Sequence, residues 1–334
     1  MGEGRCYLRL VSGVSRSVVS AVELTRLAMA FGAIADLLLI VILSRSDPQY
    51  HYMPVASMPL LQAFVAATVT AVGLFSFAAA LNDLLDVRHD RVFSPGRPIA
   101  AGRISALQAM SLALASLLLA LVGVISFGPG GIFVAILVAG GSLFYNATAK
   151  HIPAVGLLTI GGIHAAHMLI PNDQFTFTLP ACLALTHATA IATIIHVIQS
   201  KRPALSRRSS WTVVLGWLAC VATMGWFGYS RSSDGFWPAS TPFWGPYIPL
   251  VAMAACVPVI HRKIRRATSP AVAAEKVARY GALWQALYAA SWLFACGEPV
   301  WGAGALVFAG LGFGTMTLLK EFAGSTGHPL AFRG

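Results

Sequence analysis

Ten apolar runs follow one another along this chain, at about 24–44, 54–81, 105–127, 131–147, 153–170, 176–199, 211–229, 244–261, 279–296 and 299–319. Runs of this length match what a helix needs to cross the ~30 Å hydrocarbon core of a bilayer. In lipid every backbone N–H and C=O must find a partner within the protein, so only helices and closed barrels can span it. The runs are continuous rather than alternating, which predicts helices. The expected fold is an all-α polytopic membrane protein, a bundle of about nine or ten transmembrane helices. Only Gly297, Glu298 and Pro299 separate the last two runs. These read as two spans, as one broken helix, or as a re-entrant pair.

Composition agrees. Of 334 residues, 57% are hydrophobic and 10% charged, against about 25% charged in a soluble domain. The net charge of +11 reads as basic loops on one membrane face rather than a nucleic-acid surface. With the N-terminus in the cytoplasm, 21 of the 23 Lys and Arg residues fall on the cytoplasmic side, Arg45 and Arg231 being the exceptions. Residues 1–20 are polar and mixed, so no cleavable signal peptide is expected. Cys182, Cys220, Cys256 and Cys296 lie in or beside runs without CxxC spacing, as small hydrophobes do. Trp237, Trp244 and Tyr247 read as interface anchors on the outer side. With no soluble domain in view, residues 1–334 read as a single transmembrane domain.

One stretch breaks the apolar pattern. Between Leu81 and Arg103 the chain gathers Asn82, Asp83, Asp86 and Asp90, with Arg88, Arg91, Arg97 and Arg103. The basic bias puts this loop on the cytoplasmic face. Continuing the second run as a helix to Asp90 sets Asn82, Asp86 and Asp90 four apart on one face, with Asp83 beside it. Like charges at that spacing repel, so the cluster calls for a cation. Carboxylates with an amide oxygen suit a hard ion, and Mg²⁺ typically takes one or two carboxylates plus phosphate oxygens and water. Arginine forks suit phosphate. The plainer alternative is a solvated loop whose arginines neutralise its aspartates; the shared face weighs against it.

Asp36 lies about halfway along the first run, where a carboxylate costs roughly 2.5–3.5 kcal/mol on insertion scales. It is either a cavity-lining group or a neutral acid hydrogen-bonded between helices. His164 and His167 share a face, and His187 and His196 are too far apart for a ligand pair. Interhelical hydrogen bonding explains these histidines better than haem or a transition metal. His164 remains a cavity candidate.

Asn82-Asp83-Leu84-Leu85-Asp86 with Asp90 resembles the NDxxDxxxD motif of the UbiA-type membrane prenyltransferase superfamily. Arg97-Pro98-Ile99 and Gly102-Arg103-Ile104-Ser105 resemble its RPxxxGxIS continuation, and Tyr145 to Lys150 its YxxxxK segment. Arg26 resembles the first-helix arginine. The similarity in order and spacing runs from about residue 20 to 260, with a UbiA-like part to about 296 and an extra hydrophobic segment at 299–319. The resemblance implies a cavity open to the membrane. It also implies Mg²⁺-dependent transfer of a prenyl chain from its diphosphate to an aromatic or other lipophilic acceptor. Asn82, Asp86 and Asp90 would hold the metal, with Asp83 in support. Arg26, Arg97 and Lys150 would bind diphosphate, and Tyr145 would face the allylic cation, making Asp83, Asp86 and Tyr145 the catalytic set.

The family's second aspartate motif has no counterpart here. His196 to Gly216 contains no carboxylate. Gln199 and Pro203 stand where aspartates are expected, amid Lys201, Arg202, Arg207 and Arg208. Either Lys201 and Arg202 bind diphosphate in place of a second metal, with Gln199 lining the site, or the site has decayed into a lipid-phosphate binder. A membrane terpene cyclase would use the same ionisation. A transporter would hold its coupling residues near the midplane instead.

Overall fold

The computed structural model describes residues 20–26, 29–232, 235–238 and 241–325, with side chains to residue 318. Arg5, Arg9, Arg16 and Arg333 lie outside the described residues, as does the side chain of Lys320. After a helical stretch over 20–25, ten helices of 16 or more residues run through the described chain. They are α1 (Phe31–Ser46), α2 (Leu60–Leu85), α4 (Ala106–Val124), α5 (Gly128–Ala147), α6 (Pro153–Met168), α7 (Leu179–Ile198), α8 (Arg207–Arg231), α9 (Tyr247–Arg265), α10 (Pro270–Ala295) and α11 (Pro299–Ser325), with a short α3 (Val87–Phe93) after α2. Each coincides with one predicted run. Local signals set the starts. Proline occupies the first turn of α5, α6, α7 and α10, where its missing N–H is no loss. A capping box of Ser105 and Gln108 opens α4.

Helix α1 is the hub. Leu37, Leu39, Ile40 and Val41 are fully buried on successive faces, which is how a helix surrounded by protein looks. It packs against α2, α6, α10 and α11. The tightest seam joins α2 to α4. A Cβ on Gly73 would stand 2.6 Å from Ser116 O and Ala120 N, and one on Gly123 2.5 Å from Thr70 Oγ1. Small residues let these backbones approach where no hydrophobic force drives helices together in lipid. By contrast α8 and α9 expose Trp211, Leu215, Trp226 and Val257, an apolar surface suited to acyl chains.

Helices α10 and α11 form a hairpin rather than one broken helix. Gly297 takes a left-handed turn (φ 81°), and Glu298 N–H donates to Leu293 O at 2.8 Å, closing α10. Gly302 then packs on Phe294, and Gly312 on Leu283 and Phe31, so α11 runs back along α10 and covers α1.

One end of the bundle is sealed by aromatics. Phe177 lies 5.3 Å from Trp237 and 5.5 Å from Trp292, and Tyr50 lies 5.5 Å from Phe175. Buried Tyr50 exchanges hydrogen bonds with Thr176, its hydroxyl 2.8 Å from both Oγ1 and N–H. Trp237 thus packs on this plug instead of serving only as an interface anchor, its ring lying against Phe177 and Trp292. Trp244 and Tyr247 are exposed, as anchors would be. In midbundle His187 accounts for itself structurally. Its Nε2 lies 3.0 Å from Gly281 O and its Nδ1 3.3 Å from Tyr288 OH, tying α7 to α10.

Candidate functional site

The acidic stretch lies opposite the plug. Helix α2 does not continue to Asp90. It stops at Leu85, the chain turns at Asp86 (φ −90°, ψ 3°), and α3 begins at Val87. The four-residue ladder nevertheless survives the turn, with Asp86 N–H to Asn82 O at 3.0 Å and Asp90 N–H to Asp86 O at 2.8 Å. The turn changes which acids meet. Asp83 and Asp90 are buried, whereas Asp86 is partly exposed.

Three cations meet the three carboxylates. Asp83 Oδ1 accepts from Arg26 Nη2 at 2.8 Å, Arg97 Nη1 at 3.1 Å and Asn82 Nδ2 at 3.2 Å. The same Arg97 Nη1 donates to Asp90 Oδ2 at 2.8 Å. Lys150 Nζ donates to Asp86 Oδ1 at 2.5 Å. The arginines therefore do neutralise aspartates, as the plainer alternative held, but Arg26 and Lys150 come from outside the loop, and the arginine pairs with Asp83 and Asp90 are largely buried rather than solvated. Burial holds the Asp90 carboxyl above its ordinary range; the charges of Asp83 and Asp86 add to this, and Arg97 opposes it.

Local structure aims each cation. Arg26 adopts a left-handed backbone (φ 49°), uncommon and strained for a non-glycine residue, at the end of the 20–25 stretch. Arg97 lies in the turn after α3, where its N–H donates to Ser94 O at 3.0 Å. Lys150 sits in the 3₁₀ turn Ala149–His151 between α5 and α6. Half-buried Tyr145 stands on the last turn of α5. Its neighbour Asn146 is buried, with Nδ2 donating to Ser142 O at 2.9 Å and Oδ1 without a partner.

A further ion pair escaped the sequence reading. Arg103 Nη1 meets Glu23 Oε2 at 2.8 Å, and Arg103 Nη2 donates to Gly96 O at 2.6 Å. This strap ties the loop carrying Arg97 to the segment carrying Arg26. The only prior signal was Arg103 within the RPxxxGxIS-like continuation.

The remaining candidates stand on other elements. After α7, Ser200 takes a left-handed turn (φ 47°), with Ser200 N–H to Val197 O at 3.1 Å and Lys201 N–H to His196 O at 3.1 Å, a Schellman end. It sends Lys201 and Arg202 into exposed positions, while Gln199 caps the helix half-buried. Asp36 is buried in α1 with neither oxygen hydrogen-bonded. The alternative of an acid bonded between helices is thus not what the structure contains. His164 is half-buried on α6.

The donor chemistry suits a hard ion, since the cluster offers carboxylate oxygens and the Asn82 amide. Among the described residues, however, no three His, Cys, Asp or Glu side chains converge as a metal site would need. The site therefore fits a Mg²⁺ that draws much of its coordination from phosphate and water, and not a metal caged by protein alone.

Residues 52–202 match the family model of the UbiA prenyltransferase family. A solved structure of a digeranylgeranylglyceryl phosphate synthase in membranes shares the fold, with a TM-score of 0.54 at 14% identity over 84% of this chain and 98% of that one. No curated protein sequence matches the chain. The matched stretch, residues 52–202, is the part of this membrane protein that carries Asp83, Asp86, Asp90, Arg97 and Lys150, and it is similar to the UbiA prenyltransferase family.

Proposed function

We propose that this protein is an intramembrane prenyltransferase. It moves a prenyl chain from its diphosphate to an aromatic or other lipophilic acceptor. The observation that carries this reading is the convergence of Arg26, Arg97 and Lys150 on Asp83, Asp86 and Asp90 at one end of an apolar bundle. A diphosphate headgroup needs cations there, and its tail needs the apolar body behind. Asn82, Asp86 and Asp90 would hold Mg²⁺, which when bound neutralises charge on the leaving diphosphate.

The chain's own residues do the rest. Arg26, Arg97 and Lys150 turn to the phosphate oxygens and stabilise the electron pair that leaves with them as the C1–O bond breaks. Asp83, held by Asn82, keeps Arg26 and Arg97 in register. Tyr145 offers its ring face to the positive charge left on the allylic carbon. The acceptor forms the new bond to C1 and gives up a proton, while the surrounding apolar helices keep water away. Lys201 and Arg202 stand as further phosphate contacts in place of the family's second acidic motif.

Positive-inside bias puts the N-terminus and the cluster on the cytoplasmic face. The chain acts as one transmembrane domain of 1–334, with α11 as an addition. The test is to incubate purified protein in detergent with Mg²⁺ and labelled prenyl diphosphates of several lengths, with and without acceptors. Diphosphate released only with acceptor supports transfer. Release without acceptor supports a terpene cyclase. Binding without release points to a lipid-phosphate binder, the reading favoured by the missing second acidic motif. Asp86→Ala abolishes release; unchanged turnover removes Asp86 from the metal role.

A further inference from the structure

We propose that the cluster takes metal and diphosphate only together, with Lys150 as the latch that keeps a bare metal ion out. This rests on the reading above that the site receives a prenyl diphosphate with Mg²⁺.

Every carboxylate of the cluster is already held by a cation of the same cluster. Arg26 and Arg97 hold Asp83, Arg97 also holds Asp90, and Lys150 holds Asp86. Three negative charges face three positive ones, so the resting site carries no formal excess of either sign. A bare divalent cation at Asp86 and Asp90 would compete with Lys150 and Arg97 for the same two carboxylates. It would add a double positive charge beside Lys150 and the largely buried Arg97 with no new anion to offset it. A diphosphate arriving alone meets the mirror-image problem. It would draw the cations away and leave Asp83 and Asp90, both buried, unpaired beside more negative charge.

Arriving together, the two ligands repartner every group. The cations turn to phosphate oxygens as the carboxylates turn to the metal. No three His, Cys, Asp or Glu side chains converge among the described residues, which leaves room for phosphate oxygens and water around the metal. Lys150 is the part most able to move. Its ammonium is a point charge on a flexible stem in a short 3₁₀ turn, whereas Arg97 bridges two carboxylates.

Coupling of this kind is reciprocal, so each ligand tightens the other by the same factor. The full-length protein in detergent is titrated with Mn²⁺ alone, followed by electron paramagnetic resonance, and with radiolabelled inorganic diphosphate in EDTA or in Mg²⁺. The wild type is expected to show no Mn²⁺ binding below millimolar levels. Its diphosphate affinity should rise on the order of tenfold or more when Mg²⁺ is present. Lys150→Met, which frees Asp86, is expected to gain Mn²⁺ binding without diphosphate. Tight Mn²⁺ binding by the wild type, equal diphosphate affinity with and without Mg²⁺, or a folded Lys150→Met with unchanged Mn²⁺ affinity overturns the proposal and leaves the prenyl-diphosphate reading standing. Retention of neither ligand under any condition overturns both. If Lys150→Met does not fold, the wild-type titrations decide alone.

Discussion

Replacing Arg97 with Met separates the structural from the chemical role of the ion-paired cluster. The change removes the donor to Asp83 at 3.1 Å and to Asp90 at 2.8 Å. Asp83 keeps Arg26 at 2.8 Å, so the group left without an arginine is Asp90, which is 3% exposed and keeps only the exposed His89 imidazole, its Nδ1 3.8 Å from Asp90 Oδ1, as an ion-pair neighbour. Breaking a buried pair by deleting one partner costs about 3–5 kcal/mol. Asp90 can reduce that cost by taking up a proton. Burial already holds its carboxyl above the ordinary range, and Arg97 is what opposes the rise. Without Arg97 the folded-state pKa climbs further, so the folded protein keeps a proton that the unfolded chain has lost. Stability from the protonated form is present at low pH and is lost as pH rises through the folded pKa. The thermal midpoint of Arg97→Met, followed by intrinsic tryptophan fluorescence in detergent, therefore falls well below wild type at about pH 8, and the deficit narrows towards about pH 5. Adding Asp90→Asn removes the orphaned charge and recovers most of the stability at high pH, while diphosphate release stays lost. A deficit independent of pH, with no recovery in the double variant, refutes the reasoning.

Three other predictions follow from packing and polar burial. Gly73→Ala places a methyl 2.6 Å from the α4 backbone and is expected to lower stability by about 1–3 kcal/mol. Gly140→Ala, with nothing within 4 Å, should be neutral or stabilising; equal midpoints for the two would contradict the close α2–α4 seam. Tyr50→Phe leaves the buried Thr176 hydroxyl and N–H without the Tyr50 oxygen, a loss of about 1–3 kcal/mol, with diphosphate release unchanged. A lower turnover would connect the aromatic plug to the chemistry. Asp36→Leu removes a buried carboxyl with no hydrogen bond and should raise the midpoint, the insertion cost of a central aspartate being roughly 2.5–3.5 kcal/mol. A fall in midpoint would show that Asp36 has a partner inside the bundle.

What the sequence made legible was whatever depends on local pattern. All ten apolar runs became helices, because run length and Pro or Ser starts act within a few residues. The acidic stretch was visible because charge is rare in this chain. Pairing was not visible, since it depends on where the helices end in space. Asp83 stood beside the expected metal face, yet in the fold it receives Arg26 from 57 positions away and Arg97 from 14. Lys150 reaches Asp86 across 64 positions, and no spacing rule joins Glu23 to Arg103. The turn at Asp86 was missed for a similar reason. Its ladder hydrogen bonds are those of a helix, and only its ψ of 3° separates α2 from α3. Trp237 looked like an anchor because the rings it packs on, Phe177 and Trp292, are far off in sequence.

The central claim is that a prenyl diphosphate is held where the three aspartates and three cations meet. A cryo-electron microscopy map of the protein with Mg²⁺ and a non-reacting prenyl thiolodiphosphate tests it most directly. The account predicts headgroup density within hydrogen-bond reach of Arg26, Arg97 and Lys150, the Lys150–Asp86 pair opened, and the tail running into the helices towards the aromatic plug. Density for the analogue elsewhere in the bundle, with all four ion pairs intact, would contradict it.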